Sequence, residues 1–124
     1  SHSFTSWLLS SSGSTNLNDG VLNTFSLTES GSGTVEHVRV AVAISHSEPN
    51  HLGFRLESPA GTVVTLLPPL TALATNLSIG TWAYLPTNAF YGETKAGIWK
   101  LHIYDHYAGS TGTLAQWGIR FMYR

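Results

Sequence analysis

Six histidines, seven carboxylates and a large stock of serine are the side chains of this 124-residue sequence with a capacity for chemistry. His102 and His106 stand four apart with Asp105 between them, so a serine brought alongside would complete a small hydrolase's trio. The Gly-x-Ser-x-Gly elbow that presents a nucleophilic serine is absent. Ser58 precedes Pro59 in a turn and Ser45 ends an apolar run, and neither has a sequence cue for activation. A zinc site needs roughly three or four converging ligands, the chain has no cysteine, and His102 reads equally well as a solvated strand residue. Calcium takes roughly six to eight oxygens, several of them from loop carbonyls. Asp19, Glu93 and Asp105 are acids at loops or strand ends beside Asn and Gly, which makes them its candidates. The same three carboxylates would serve as acceptors for turn N–H groups, and both readings stay open.

A second set of residues is suited to contact rather than reaction. Trp7, Trp82, Trp99 and Trp117, with five tyrosines, could stack on sugar rings. Trp99 and Trp117 fall within alternating apolar stripes and are expected in the core, whereas Trp82, next to Ala83 and Tyr84, is a surface candidate. Leu70, Leu73 and Leu77 follow Pro68-Pro69 at helical spacing. They predict a short helix or an apolar loop that either caps the core or forms an interface.

The elements that must position these residues are read from period-two alternation. Val38, Val40, Val42 and Ile44 share one face of a strand over His37–Ile44. Leu52–Glu57 and Thr62–Leu67 form a second and third strand across the Ser58–Gly61 turn, and Thr81–Leu85 returns to strand character. Trp99, Leu101 and Ile103 form another stripe, and Trp117, Ile119, Phe121 and Tyr123 the last. Each strand has one apolar face that another layer must cover. The reading is an all-β, jelly-roll-like antiparallel β-sandwich of about eight strands. It forms one domain over residues 1–124, in which the Ser-rich 1–16 act as an N-terminal arm or linker.

Composition excludes several functions. Charged residues are 10% of the chain, where about 25% is usual. Six basic against seven acidic residues leave no polybasic surface for nucleic acid or a membrane face. No apolar run approaches the roughly 18–20 residues of a membrane-spanning helix.

Several short motifs, weak singly, occur in a consistent order. They are Asn18-Asp19-Gly20-Val21, Val35-Glu36-His37-Val38-Arg39-Val40 and Leu56-Glu57-Ser58-Pro59-Ala60-Gly61-Thr62, then Trp82-Ala83-Tyr84-Leu85, Phe90-Tyr91-Gly92-Glu93 and Ala96-Gly97-Ile98-Trp99-Lys100-Leu101, closing with Asp105, Gly112-Thr113-Leu114 and Trp117. Together they resemble the P domain, or P/Homo B domain, of kexin- and furin-like proprotein convertases and related bacterial subtilisin-type proteases. His51 stands where that family carries an acid, and 68–80 is richer in leucine. Pro59, Gly61, Gly97, Trp99, Gly112 and Trp117 fall on matching positions and carry scaffold roles.

The resemblance implies a noncatalytic accessory domain of a secreted subtilisin-like serine protease. Its partner would be the catalytic domain of the same polypeptide. It would support that domain's folding and stability, and by family analogy its calcium and pH dependence, with no cofactor strictly required. The isolated domain is expected to be monomeric, with Leu70, Leu73, Leu77 and Trp82 as docking candidates. The alternative from the residues alone is a free-standing adhesion or carbohydrate-binding β-sandwich using exposed aromatics.

Overall fold

Alternation with period two is realised as strands throughout. The structure, a computed structural model, describes residues 3–11, 13, 15–17, 22–46, 52–67, 82–105 and 112–124. Among them lie nine strands and no helix: β1 (Phe4–Leu9), β2 (Thr15–Leu17), β3 (Leu22–Glu29), β4 (Val35–His46), β5 (Leu52–Glu57), β6 (Val63–Leu67), β7 (Trp82–Thr87), β8 (Gly97–Asp105) and β9 (Gly112–Tyr123). They form two antiparallel sheets. The first runs β1-β9-β4-β7, with β2 also on β9; the second runs β3-β8-β5-β6. The expected β-sandwich is therefore the observed one.

The core lies between the sheets. Val38, Val40, Val42 and Ile44 of β4 and Trp117, Ile119 and Phe121 of β9 face Leu52, Phe54 and Leu56 of β5 and Trp99, Leu101 and Ile103 of β8. All are buried. Fully burying one such side chain stabilises the fold by about 1.5–3 kcal/mol. Trp99 is the hub: its ring meets Phe90 and Phe121 edge-on at centroid distances of 5.2 and 5.1 Å, and its Nε1–H donates to the Lys95 carbonyl at 2.8 Å. Trp117 is buried beside it in the cluster, so both stripe tryptophans are core residues.

Residues 1–16, expected as an arm or linker, hold β1 and the start of β2. Both pair with the edge of β9 that β4 leaves free, β1 from Phe4↔Tyr123 to Leu9↔Gly118 and β2 from Thr15↔Leu114 to Leu17↔Gly112. Between them Ser10 N–H donates to the Trp117 carbonyl at 2.8 Å and Gly13 N–H to the Ala115 carbonyl at 3.0 Å. Ala115 is the extra residue of a bulge where β4 slips from Ala43↔Gln116 to Ile44↔Leu114, and the arm takes up its freed carbonyl. The described residues of the segment thus lie along β9 and cover backbone that would otherwise template unwanted pairing.

Two glycines are set by geometry. Gly97 has φ +130°, and a Cβ there would lie 2.6 Å from Pro59 Cβ. Gly118 sits in β9 where a Cβ would lie 2.4 Å from Leu9 Cδ2 and 2.7 Å from the Leu8 carbonyl oxygen. The first lets the Ser58–Gly61 turn pack on β8, and the second lets β1 lie close along β9.

Candidate functional site

Two of the matching motifs, the Ser58–Gly61 turn and the Phe90–Glu93 loop, meet in space. Ser58, almost fully buried, donates its hydroxyl to Glu93 Oε1 at 2.6 Å and accepts the Thr62 N–H at 3.2 Å. Gly61, at φ +92°, closes that turn through its N–H to the Ser58 carbonyl. Nearby, Lys95 is 3% exposed. Its ammonium is 3.5 Å from Glu29 Oε2 and 4.2 Å from the centre of the Tyr123 ring. These contacts tie loops to strands. The Ser58 proton goes to a carboxylate rather than an imidazole, which is a structural use of the hydroxyl.

Of the calcium candidates, only Glu93 has a described side chain, and Ser58 already engages one of its oxygens. Asp19 lies outside the described residues, and Asp105 is placed only through its backbone at the end of β8. Among the described residues no group of three or more His, Asp or Glu is placed to hold a metal ion. Leu70, Leu73 and Leu77 of the interface set lie outside the described residues, as does His106 of the hydrolase trio. Trp82 pairs with Ala43 through its backbone. Gly112 opens β9 opposite Leu17 and His46.

One constellation that the sequence did not suggest spans three strands. The Thr24 hydroxyl of β3 lies 2.9 Å from His102 Nδ1 of β8, and His102 Nε2 lies 2.9 Å from Glu57 Oε1 of β5. Hydroxyl, imidazole and carboxylate in line is the order of a nucleophile relay. Here it lies on the outward face of the second sheet. His102 sits in β8, which is paired on both sides, by β3 and by β5. Its N–H groups are therefore spent in the ladder and cannot stabilise an oxyanion. The arrangement is a surface network that pins three strands together.

The outward face of the first sheet has a different character. Strand register places Leu9, Gly118, Ala41 and Tyr84 in one row across β1, β9, β4 and β7, and Trp7, Arg120, Arg39 and Pro86 in the next. Trp7, Leu9 and Tyr84 are about half exposed, and with Ala41 they line a groove of 270 Å³. The centre of the second sheet's outer face carries Thr24, Ser26, Lys100, His102 and Arg55 instead. Leu22, Val63, Ile98 and Tyr104 are exposed on the second sheet as well, but this groove lies on the first. The signal for it was present in β4, where Val and Ile on one side alternate with Ala41 and Ala43 on the other.

Similarity to known proteins agrees with the fold. Over 69 residues, 56% of it, the chain is 42% identical to the endoprotease aex-5 of Caenorhabditis elegans. Over 83 residues, 58% of it, it is 35% identical to the Aeromonas extracellular serine protease of Aeromonas sobria. It spans only 12% and 13% of the length of those two relatives. The crystal structure of the Aeromonas sobria serine protease in complex with its chaperone superposes with a TM-score of 0.74, covering 96% of this chain and 27% of that one at 22% identity, which shows a shared fold. Residues 35–121 match the family description of the proprotein convertase P-domain, and they hold every quoted motif except the Asn18–Val21 turn. The chain belongs to the proprotein convertase P-domain family.

Proposed function

We propose that this chain is the noncatalytic accessory domain of an extracellular subtilisin-like serine protease, and that it docks on the catalytic domain of the same polypeptide and stabilises it. The observation that carries the reading is the apolar outer face of the first sheet, on a domain whose family members are parts of much longer proteases. Apolar surface left half exposed on a β-sandwich gains free energy when a neighbour covers it. A partner that binds only the folded catalytic domain shifts that domain's unfolding equilibrium by mass action, by about 2.7 kcal/mol at a hundredfold excess over Kd. The bond-breaking groups then belong to the neighbour. The hydroxyls placed in this chain at Ser58 and Thr24 serve its own packing.

The test is thermal inactivation of the catalytic domain made with and without this chain attached. The expected result is a longer half-life with the chain and no hydrolysis by the chain alone. Equal half-lives would defeat the reading. A calcium dependence seated in this domain would run through Asp19, Glu93 or Asp105. Melting curves in calcium and in chelator read it directly, and an unchanged midpoint removes the ion from this domain.

A further inference from the structure

The groove on the first sheet has a charged rim that no carboxylate among the described residues balances. Arg39 of β4 and Arg120 of β9 are directly opposite each other in the ladder, an arrangement of like charges that costs stability. Arg39 places its guanidinium 5.7 Å from the centre of the Tyr84 ring, and Arg120 pairs in register with Trp7. Every glutamate with a described side chain is engaged elsewhere: Glu29 with Lys95, Glu36 with Arg124, Glu57 with His102 and Glu93 with Ser58. Two cations without a carboxylate among the described residues thus flank an apolar slot. Its floor is Ala41, and its walls are Trp7, Leu9 and Tyr84. At 270 Å³ the slot falls just below the roughly 300–1,000 Å³ of small-molecule pockets. It suits a protruding side chain.

We propose that this groove receives a segment of a protein partner in which a carboxylate stands next to a leucine-sized side chain. The apolar group fills the slot and the carboxylate bridges Arg39 and Arg120. Arginine presents a planar fork of donors that matches a carboxylate bidentately, and a carboxylate between two opposed arginines relieves their repulsion. Resting on the docking function above, the partner segment is a surface loop of the catalytic domain.

The site itself is tested by titrating this chain with a capped peptide carrying one aspartate between two leucines, and with its asparagine twin, followed by amide chemical shifts. The shifts should concentrate at Trp7, Leu9, Ala41 and Tyr84. The aspartate peptide should bind about three- to tenfold tighter at low salt. The Arg39→Gln/Arg120→Gln double variant, which should melt no lower than the parent chain, should abolish that difference. Equal binding of the two peptides, shifts centred elsewhere, or no shift at the peptide's solubility limit would each overturn the proposal. Pull-down with a separately made catalytic domain separates the two ideas. Docking of the parent chain that survives Arg39→Glu/Arg120→Glu defeats the groove and leaves the accessory function standing. Peptide binding without docking of the parent chain does the reverse.

Discussion

Ser58 and Glu93 are 35 residues apart in sequence and 2.6 Å apart in space, hydroxyl to carboxylate. The bond joins the Ser-Pro-Ala-Gly-Thr turn to the Phe90–Glu93 loop, two motifs that identify the family and that the sequence shows only as separate words. Ser58→Ala removes the donor to Glu93 and the acceptor for the Thr62 N–H together. Loss of a hydrogen bond to a charged group costs about 1.5–3 kcal/mol. A fall in the urea midpoint at constant m is the expected readout, and an unchanged midpoint would show that the bond is dispensable.

Gly97 and Pro59 make a steric pair. Gly97→Ala forces a side chain onto φ +130° and against the proline ring at 2.6 Å. The backbone part alone costs about 1–3 kcal/mol, and the contact adds to it. Pro59→Gly in the same chain removes the ring atoms, so the double variant should recover the contact part and keep the backbone part. A double-mutant cycle measures the coupling. Additive losses would mean that the two residues do not press on each other.

Lys95 and Glu29 form an ion pair with side chains only 4% and 11% exposed. Glu29→Ala leaves the ammonium buried without its carboxylate, at a cost of about 3–5 kcal/mol. Lys95→Met removes the more deeply buried charge and leaves Glu29 still accepting the Gly31 N–H at 2.9 Å, so it should cost less. Thermal melts of the two variants check the order, and Lys95→Met as the worse of the two would reverse the account.

Arg124 makes a contact that holds across neutral and mildly alkaline pH. Its hydrogen bond to the Tyr91 hydroxyl at 2.7 Å, with Glu36 adding a weaker attraction at 3.5 Å, holds the guanidinium pKa above the ordinary arginine value. A group raised on folding contributes its full share below its unfolded pKa and gives it up only as pH rises through the folded one. The expected outcome is that Arg124→Gln shifts the melting midpoint equally at neutral and mildly alkaline pH. A penalty that varies with pH over this range would overturn it.

Much of the fold was legible because it is written locally. The valines of β4 sit at period two, and β5 begins and ends where its alternation does, at Leu52 and Glu57. The arm was not legible. Ser10 to Asn16 has linker composition, yet Ser10 and Gly13 donate to carbonyls of β9 and Thr15 and Asn16 pair with it. The Thr24–His102–Glu57 line was hidden for a related reason. Its members are 78 and 45 residues apart, and only strand register brings them together. The groove is intermediate: Trp7 was marked as a contact residue, but its walls and rim come from four strands whose order no single segment encodes.

Phe4 and Tyr123 face each other at the end of the β1–β9 ladder, rings 5.7 Å apart. Polypeptide continuing in either direction would leave from the same corner. Tension between those two points acts across the strands rather than along them, so β1 would peel from β9 one rung at a time. Such a domain yields at its seam under small loads while its interior stays shut, behaving more like a hook-and-loop fastening than a rivet.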